Sequence, residues 1–278
     1  MRRRLIGSAL RRYRENVGYA LEDSARVLDC DRSKISRIET GQRGIRPKEL
    51  RELLAEYGVP ERERATLAAI ASQGGEPGWW PPYADVLPGP LLEYVIMESA
   101  AAEIMSYEAQ VVPALLQTEE YARAIAAAVP GYAPGDQREH AAAAQAARRR
   151  AVLGTPAGRR LSVILGQAAL HQAVGGPGVM VRQVSHLVRL TSQVPGFTLQ
   201  VLPFTAGAHA AAGSASLAIL RFPDAPGLGV VYLEAPSGGV CLEGQPDVAR
   251  SLRAFALLRA AALSPAESMR LLSRLGNR

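Results

Sequence analysis

Four side chains in one short run, Arg32, Ser33, Ser36 and Arg37, have the types and spacing to read a nucleic acid. At i, i+1, i+4 and i+5 they share one side of a helix. Arginine there can donate a bidentate pair to guanine O6 and N7, worth about 1–3 kcal/mol of discrimination, while serine can bond to any base or to a phosphate. The same face could instead be the solvated Arg/Ser surface of an ordinary small helical domain. What favours base reading is the frame around the four residues.

That frame is two short helical patterns joined by a tight turn. Leu21, Ala25 and Leu28 recur at helical spacing and are expected to face inward. Asp29-Cys30-Asp31 breaks the pattern. Asp31 suits an N-cap, because its carboxylate can accept from an unpaired N–H of the next turn. A second helix then runs from Arg32 to about Thr40 and stops at Gly41, a residue suited to the left-handed position after a helix. Ile35 and Ile38 anchor it. Small Ala25 lets the two helices cross closely. The outer face is left free to enter a major groove, N-terminal residues first.

The stretch DRSKISRIETGQRGIRP resembles the Xre-type, lambda-repressor-like regulators, in the version common in actinomycetes. Asp29 departs from the glycine usual in that turn, a modest change because Asp tolerates the left-handed region better than most residues. The resemblance implies phosphate or backbone contacts from the loop after the recognition helix and its flanks. Here these are Gln42, Arg43, Arg46 and Lys48, together with Lys34 and with Arg11 on the first helix. Arg43 has a second route, into the minor groove, and the loop could also be plain mobile surface. One such domain presents few base contacts, so a homodimer on double-stranded DNA is expected, bound to an inverted-repeat operator with half-sites about one helical turn apart.

Charge distribution agrees with that placement. Residues 1–74 hold 16 Lys+Arg against 11 Asp+Glu, so most of the chain's formal +6 sits there. A basic excess on one module is the footprint expected of phosphate binding. The two cysteines, Cys30 and Cys241, lie far apart, which fits a reducing compartment rather than a disulfide framework. No apolar run approaches membrane-spanning length. The expectation is a soluble, cytoplasmic, nucleoid-associated protein with no membrane partner.

Around the two central helices the periodicity predicts three more. Ile6, Leu10, Tyr13 and Val17 form the stripe of a first helix ended by Gly18; Leu50, Leu53, Leu54 and Tyr57 form that of a helix starting at Pro47; residues 61–73 form the fifth. Residues 75–90, rich in Pro and Gly, read as a linker between a helix-turn-helix domain (1–74) and a second domain (91–275). Trp79 and Trp80 there are expected to pack against one of the domains.

The second domain reads as α+β: helices over 91–106, after Thr118, over 134–153, 168–174 and 179–193, and two at the end (247–263, 265–275). About five strands are expected at 161–165, 197–204, 216–222, 229–235 and 239–243. The fold class is thus mainly α with an α+β second domain. Arg148-Arg149-Arg150 reads as a helix C-terminus complementing the dipole, or as a second nucleic-acid contact. Glu98, Glu103 and Glu108 read as a solvated or salt-bridged helix face. Glu234 could receive a cationic partner or ligand, or a surface salt bridge. The strings YEAQVVPALLQTEEYARA, LQVLPFTAGAH and VVYLEAPSG resemble the WhiJ-like, antitoxin-like domain of streptomycetes and relatives, whose genes often lie beside one for a small cognate protein. Ala114 departs from a frequent glycine.

No catalytic constellation emerges. The four histidines and two cysteines lack metal-ligand spacing. GGPG (175–178), GLGVVY (227–232) and GSAS (213–216) each lack the residues that would make them a phosphate loop, a dinucleotide fingerprint or a nucleophile elbow. A non-enzymatic regulator with no cofactor and no metal is expected.

Overall fold

The computed structural model describes residues 2–71, 78–87, 89–128, 137–154, 159–213, 216–222, 228–235 and 239–276. Parts of the linker, of GSAS and of GLGVVY, and the start of the helix expected at 134, lie outside these residues.

Five helices open the chain: α1 (Arg2–Asn16), α2 (Leu21–Val27), α3 (Arg32–Glu39), α4 (Pro47–Glu56) and α5 (Glu61–Ala71). α1, α3 and α4 stop where the sequence predicts, with left-handed backbone at Gly18, Gly41 and Gly58, while the end expected for α5 at Gln73 lies outside the described residues. Leu5, Ile6, Leu10, Ile38, Leu50, Leu53, Leu54 and Leu67 build the core, which continues through Trp80 and Leu87 into the second half of the chain. Val17, expected in the α1 stripe, is exposed instead. It follows the last helical residue, so the stripe has already ended; Leu5 and Ala9 fill the inward positions.

Beyond the linker follow α6 (Gly89–Ala100), β1 (Glu103–Glu108), α7 (Glu119–Ala128), α8 (Gln137–Leu153), β2 (Arg160–Gly166), α9 (Pro177–Gln193), β3 (Phe197–Leu202), β4 (Ser216–Arg221), β5 (Gly229–Leu233), β6 (Val240–Leu242), α10 (Gln245–Ala261) and α11 (Pro265–Gly276). The helix expected over 168–174 is instead a single 3-10 turn at Gln167–Leu170. Thr118 caps α7, its Oγ1 accepting from Tyr121 N–H at 3.3 Å.

The sheet has six strands in the order β3-β2-β1-β4-β5-β6. β1, β2 and β3 run parallel, while β4, β5 and β6 add on in antiparallel fashion. The extra strand is β1, which the periodicity had merged with the preceding helix. Flanked on both sides, it is buried on both faces from Ile104 onward, so it shows no alternation. Its leading acid, Glu103, sits at the sheet end between two arginines of neighbouring strands, 3.4 Å from Arg160 and 3.1 Å from Arg221. Met105, Tyr107, Ile164, Ile219 and Val231 pack on one face with Val248, Phe255 and Leu258 of α10. The other face carries Ile104, Val163, Val201 and Val230 in the larger core with side chains of α6, α8, α9 and α11.

Glu98, Glu103 and Glu108 therefore do not share a helix face. Glu98 is fully buried on α6, and Glu108 ends β1. The arginine triplet is likewise divided. Arg148 is buried in a bidentate pair with Glu98 (Nε–Oε2 2.7 Å, Nη2–Oε1 2.8 Å), Arg149 donates to the Gln117 carbonyl, and Arg150 is exposed. Successive helix positions point about 100° apart, so three adjacent arginines meet three environments.

Candidate nucleic-acid interface

The candidate recognition helix is α3, and local chemistry fixes both its ends. Asp29 is the one non-glycine among the described residues with positive φ, 46°. Asp31 then accepts from Lys34 N–H at 2.8 Å and caps the helix. Gly41, at φ 74°, closes it. A side chain at Gly41 would also collide with the Arg4 backbone, so this glycine is needed for space as well as conformation.

The inner face of α3 is clamped. Ile35 and Ile38 are buried. Gly7 of α1 lies under the carbonyls of Ile38 and Glu39, where a Cβ would sit 2.3 and 2.6 Å from those oxygens. Arg14 of α1 forms a buried bidentate pair with Glu39 (Nε–Oε1 2.7 Å, Nη2–Oε2 2.9 Å), while its Nη1 donates to the Tyr19 carbonyl at 2.7 Å. The companion helix α2 carries Ala25 against α3 and buried Ser24, whose hydroxyl meets that of Tyr57 at 2.7 Å. Leu21 and Leu28 are half-buried.

Arg32, Ser33 and Arg37 are exposed on the outer face, with Ser36 half-buried beside them. Arg32 lies 3.2 Å from Glu22 of α2, across an exposed pair. Arg37 folds back along the helix, donating to the Ser33 carbonyl and to Ser33 Oγ, each at 3.2 Å. The Ser33 hydroxyl donates in turn to the Asp31 carboxylate, the largest of the influences holding that carboxyl below its usual range. Exposed pairs of this kind are worth little, so these groups can exchange partners with base edges at small cost.

The backbone-contact set divides. Gln42 and Arg43 are exposed in the loop after α3, with Arg43 N–H donating to the Arg37 carbonyl at 2.9 Å. Lys48 is exposed, 3.8 Å from Glu52, and Arg11 is exposed, 2.8 Å from Glu15. Lys34 differs from expectation: its ammonium lies 2.8 Å from Glu49 with both side chains largely buried. It points back toward α4 because the buried Glu49 needs cations around it. Arg46 supplies the second, 2.5 Å from the same carboxylate. Bonded first to Arg46 and also to Lys34, the Glu49 carboxyl falls to about 2. Lys34 thus joins α3 to α4 rather than facing outward, and Arg46 keeps an exposed guanidinium.

Sequence reasoning missed two features. The Arg14–Glu39 pair left no signal, since the residues lie 25 positions apart. Arg3 was visible in the opening arginine run; it is exposed beside the loop, with its Nε 3.5 Å from where a Cβ on Gly44 would stand.

The second half of the chain touches this unit at α1. Arg4 Nε lies 2.6 Å from Glu243 after β6, and the Arg2 amide donates to Glu93 of α6 at 3.4 Å. Between α5 and α6, beside Trp79 and Trp80, is a largely apolar cavity of about 310 Å³. Trp79 also meets Trp80 edge-on and packs near Tyr83. Among the described residues no three His, Cys, Asp or Glu side chains are grouped to hold a metal, and no helix is long and apolar enough to cross a membrane.

Comparison with known families gives two matches. Residues 5–67 match the family described as Helix-turn-helix domain, a span that includes α2, the turn and α3. Residues 91–274 match the family described as Domain of unknown function (DUF5753). No curated protein and no solved structure matches the chain. With that second match covering well over half its length, the chain belongs to the DUF5753 family and carries a helix-turn-helix domain ahead of the family's region.

Proposed function

We propose that the protein is a sequence-specific, non-enzymatic DNA-binding transcriptional regulator of the Xre, lambda-repressor-like kind. The helix-turn-helix domain supports DNA binding in general terms. The observation that carries the finer reading is the division of α3. One face is clamped by Ile35, Ile38 and the Arg14–Glu39 pair, while the opposite face offers Arg32, Ser33, Ser36 and Arg37. In this reading those four contact bases, and Arg11, Gln42, Arg43, Arg46 and Lys48 set the docking on phosphates. One such helix presents few base contacts, so the protein works as a homodimer on an inverted repeat. Residues 1–74 are the DNA-binding unit, 75–90 the linker, and 91–275 the unit for dimerisation and for sensing a ligand or partner.

The test is in vitro selection from a random duplex library with the full-length protein, followed by footprinting. The expected result is one inverted-repeat sequence with half-sites about 34 Å apart centre to centre. Enrichment of no sequence above background sinks the reading.

A second reading makes the protein a WhiJ-like, antitoxin-like binder of a small cognate protein that autoregulates its own operon. It is favoured by Phe204, Val240 and Leu257, large apolar side chains left exposed on the second half of the chain. Such side chains are ordinary when scattered, so this reading stands second. Stable co-purification of one small protein from the native host, lost in Leu257→Lys, would promote it.

A further inference from the structure

The two halves of the chain do not close completely on each other. A cavity of about 310 Å³ is left between them. Ile70 of α5 supplies wall from the five-helix unit, Ile96 and Met97 of α6 and Ala151 of α8 supply it from the second half, and Trp79 and Trp80 of the linker complete it. Both tryptophans are held there by packing. They meet edge-on at 6.4 Å, Trp79 lies 6.2 Å from the Tyr83 ring, and Trp80 rests on Gly78, where any Cβ would collide with its ring. Protein interiors rarely keep voids much larger than a water molecule. A cavity of this size between side chains fixed in this way calls for an occupant.

The chemistry of the wall narrows what that occupant is. The lining is largely apolar, and the Ser99 hydroxyl within it donates to the Val95 carbonyl at 2.9 Å. The Trp79 indole N–H is different: it is buried and has no acceptor among the described residues. A buried tryptophan N–H ordinarily finds a partner, and one left without costs free energy that an incoming acceptor would return. Water serves poorly here, since a buried water is held by about two to four polar partners. Arg2 brings a charge to the lining, but its backbone amide donates to Glu93 at 3.4 Å, so that cation already has a carboxylate beside it and does not select an anion. An apolar cavity of about 150 Å³ takes a benzene-sized molecule, so this one has room for a fused pair of rings.

We propose that this cavity binds a neutral, largely apolar small molecule the size of two fused rings, with one carbonyl oxygen that accepts from the Trp79 indole N–H. Such a ligand touches α5 of the first unit and α6 and α8 of the second at once. Its binding therefore biases how the two meet, which gives the sensing unit of the proposed regulator both a ligand class and a route to the DNA-binding helices. That regulatory consequence rests on the proposed function; the binding itself does not.

The test titrates the full-length protein calorimetrically with 1-tetralone, with tetralin as the same ring system lacking the carbonyl, and with 1-naphthoate as the anionic alternative. 1-Tetralone binds one-to-one, about fivefold or more tighter than tetralin or 1-naphthoate, as one neutral hydrogen bond allows. Trp79→Phe, which keeps an aromatic ring and removes the N–H, weakens 1-tetralone by about the same factor and leaves tetralin nearly unchanged. Ala151→Leu, which fills the cavity from α8, weakens both ring compounds. No binding of 1-tetralone overturns the proposal. So does equal or tighter binding of tetralin or 1-naphthoate, or unchanged 1-tetralone affinity in either folded variant. Anisotropy on the selected operator, with and without 1-tetralone, reports separately on regulation: binding with unaltered operator affinity leaves the site standing and removes its role in sensing.

Discussion

Arg14–Glu39 among the first helices and Arg148–Glu98 among the later ones are the same pair in chemistry. Each is buried and bidentate, and each ties together two helices distant in sequence. Their surroundings differ. Around Arg14–Glu39 the cations of the outer face stay outside, Arg32, Arg37, Arg43 and Lys48 all being exposed, while Lys34 turns inward to Glu49. Around Arg148–Glu98 a further carboxylate, Glu108, is kept inside. The first arrangement stiffens a helix so that its outer face can meet a large charged partner. The second keeps its charges away from water and ties α6 to α8 inside the molecule. Identical residue types serve opposite ends because a buried charge acts at short range in a low dielectric, whereas an exposed one is screened within about 8–10 Å.

The largest expected effect breaks the inner pair of the second half. Arg148→Ala leaves Glu98 buried without its cation and should cost about 3–5 kcal/mol in denaturant unfolding. A loss under about 1 kcal/mol would mean that water reaches Glu98 and that the two buried pairs are not equivalent. On the outer face of the first half, Arg37→Ala should lower discrimination between the selected operator and random duplex by about 1–3 kcal/mol in competition binding. Salt-sensitive weak binding should remain. Unchanged discrimination would move base reading away from this side chain.

An intermediate case is Glu49, inside yet serving an exposed face through Lys34 and Arg46. Its folded-state carboxyl sits at about 2, below the ordinary 4.5. A depressed carboxyl stabilises the fold fully above its unfolded value and loses that contribution as pH falls through the folded one. Wild-type stability should therefore drop between about pH 4.5 and 2 more steeply than that of Glu49→Gln. Near neutral pH the variant should be less stable by about 1.5–3 kcal/mol. Parallel unfolding curves for the two proteins over that range would remove Glu49 from the acid response. The smallest effect is that of Lys48→Ala, whose pair with Glu52 is exposed and 3.8 Å long. Stability should change by less than about 0.5 kcal/mol. The dependence of DNA binding on salt should fall by about one counterion, alike on all sequences.

The first half was the more legible in sequence because its signals are local. Asp31, Gly41, Pro47 and the Ile35/Ile38 spacing each act within a turn or two of helix, and the structure places their caps and buried faces as expected. Lys34 was misplaced because its direction depends on Glu49, fifteen residues on. In the second half β2 to β6 were legible from their apolar runs, while β1 was not: a strand buried on both faces shows no alternation, and its acidic ends look like helix surface. The sequence put Glu108 on a helix, apart from Glu234; strand register brought the two to either side of Ser216.

By itself, then, the sequence determined the five-helix unit, its turn, its caps and the polar face of α3, since helix periodicity and capping are short-range effects. It also determined that a sheet-bearing region follows. Tertiary structure decided which charges are inside. It paired Arg14 with Glu39 and Arg148 with Glu98, turned Lys34 inward, and buried Glu108 at the end of β1. Those outcomes depend on which distant segments meet, and burial sets the energy of a charge only once they have met.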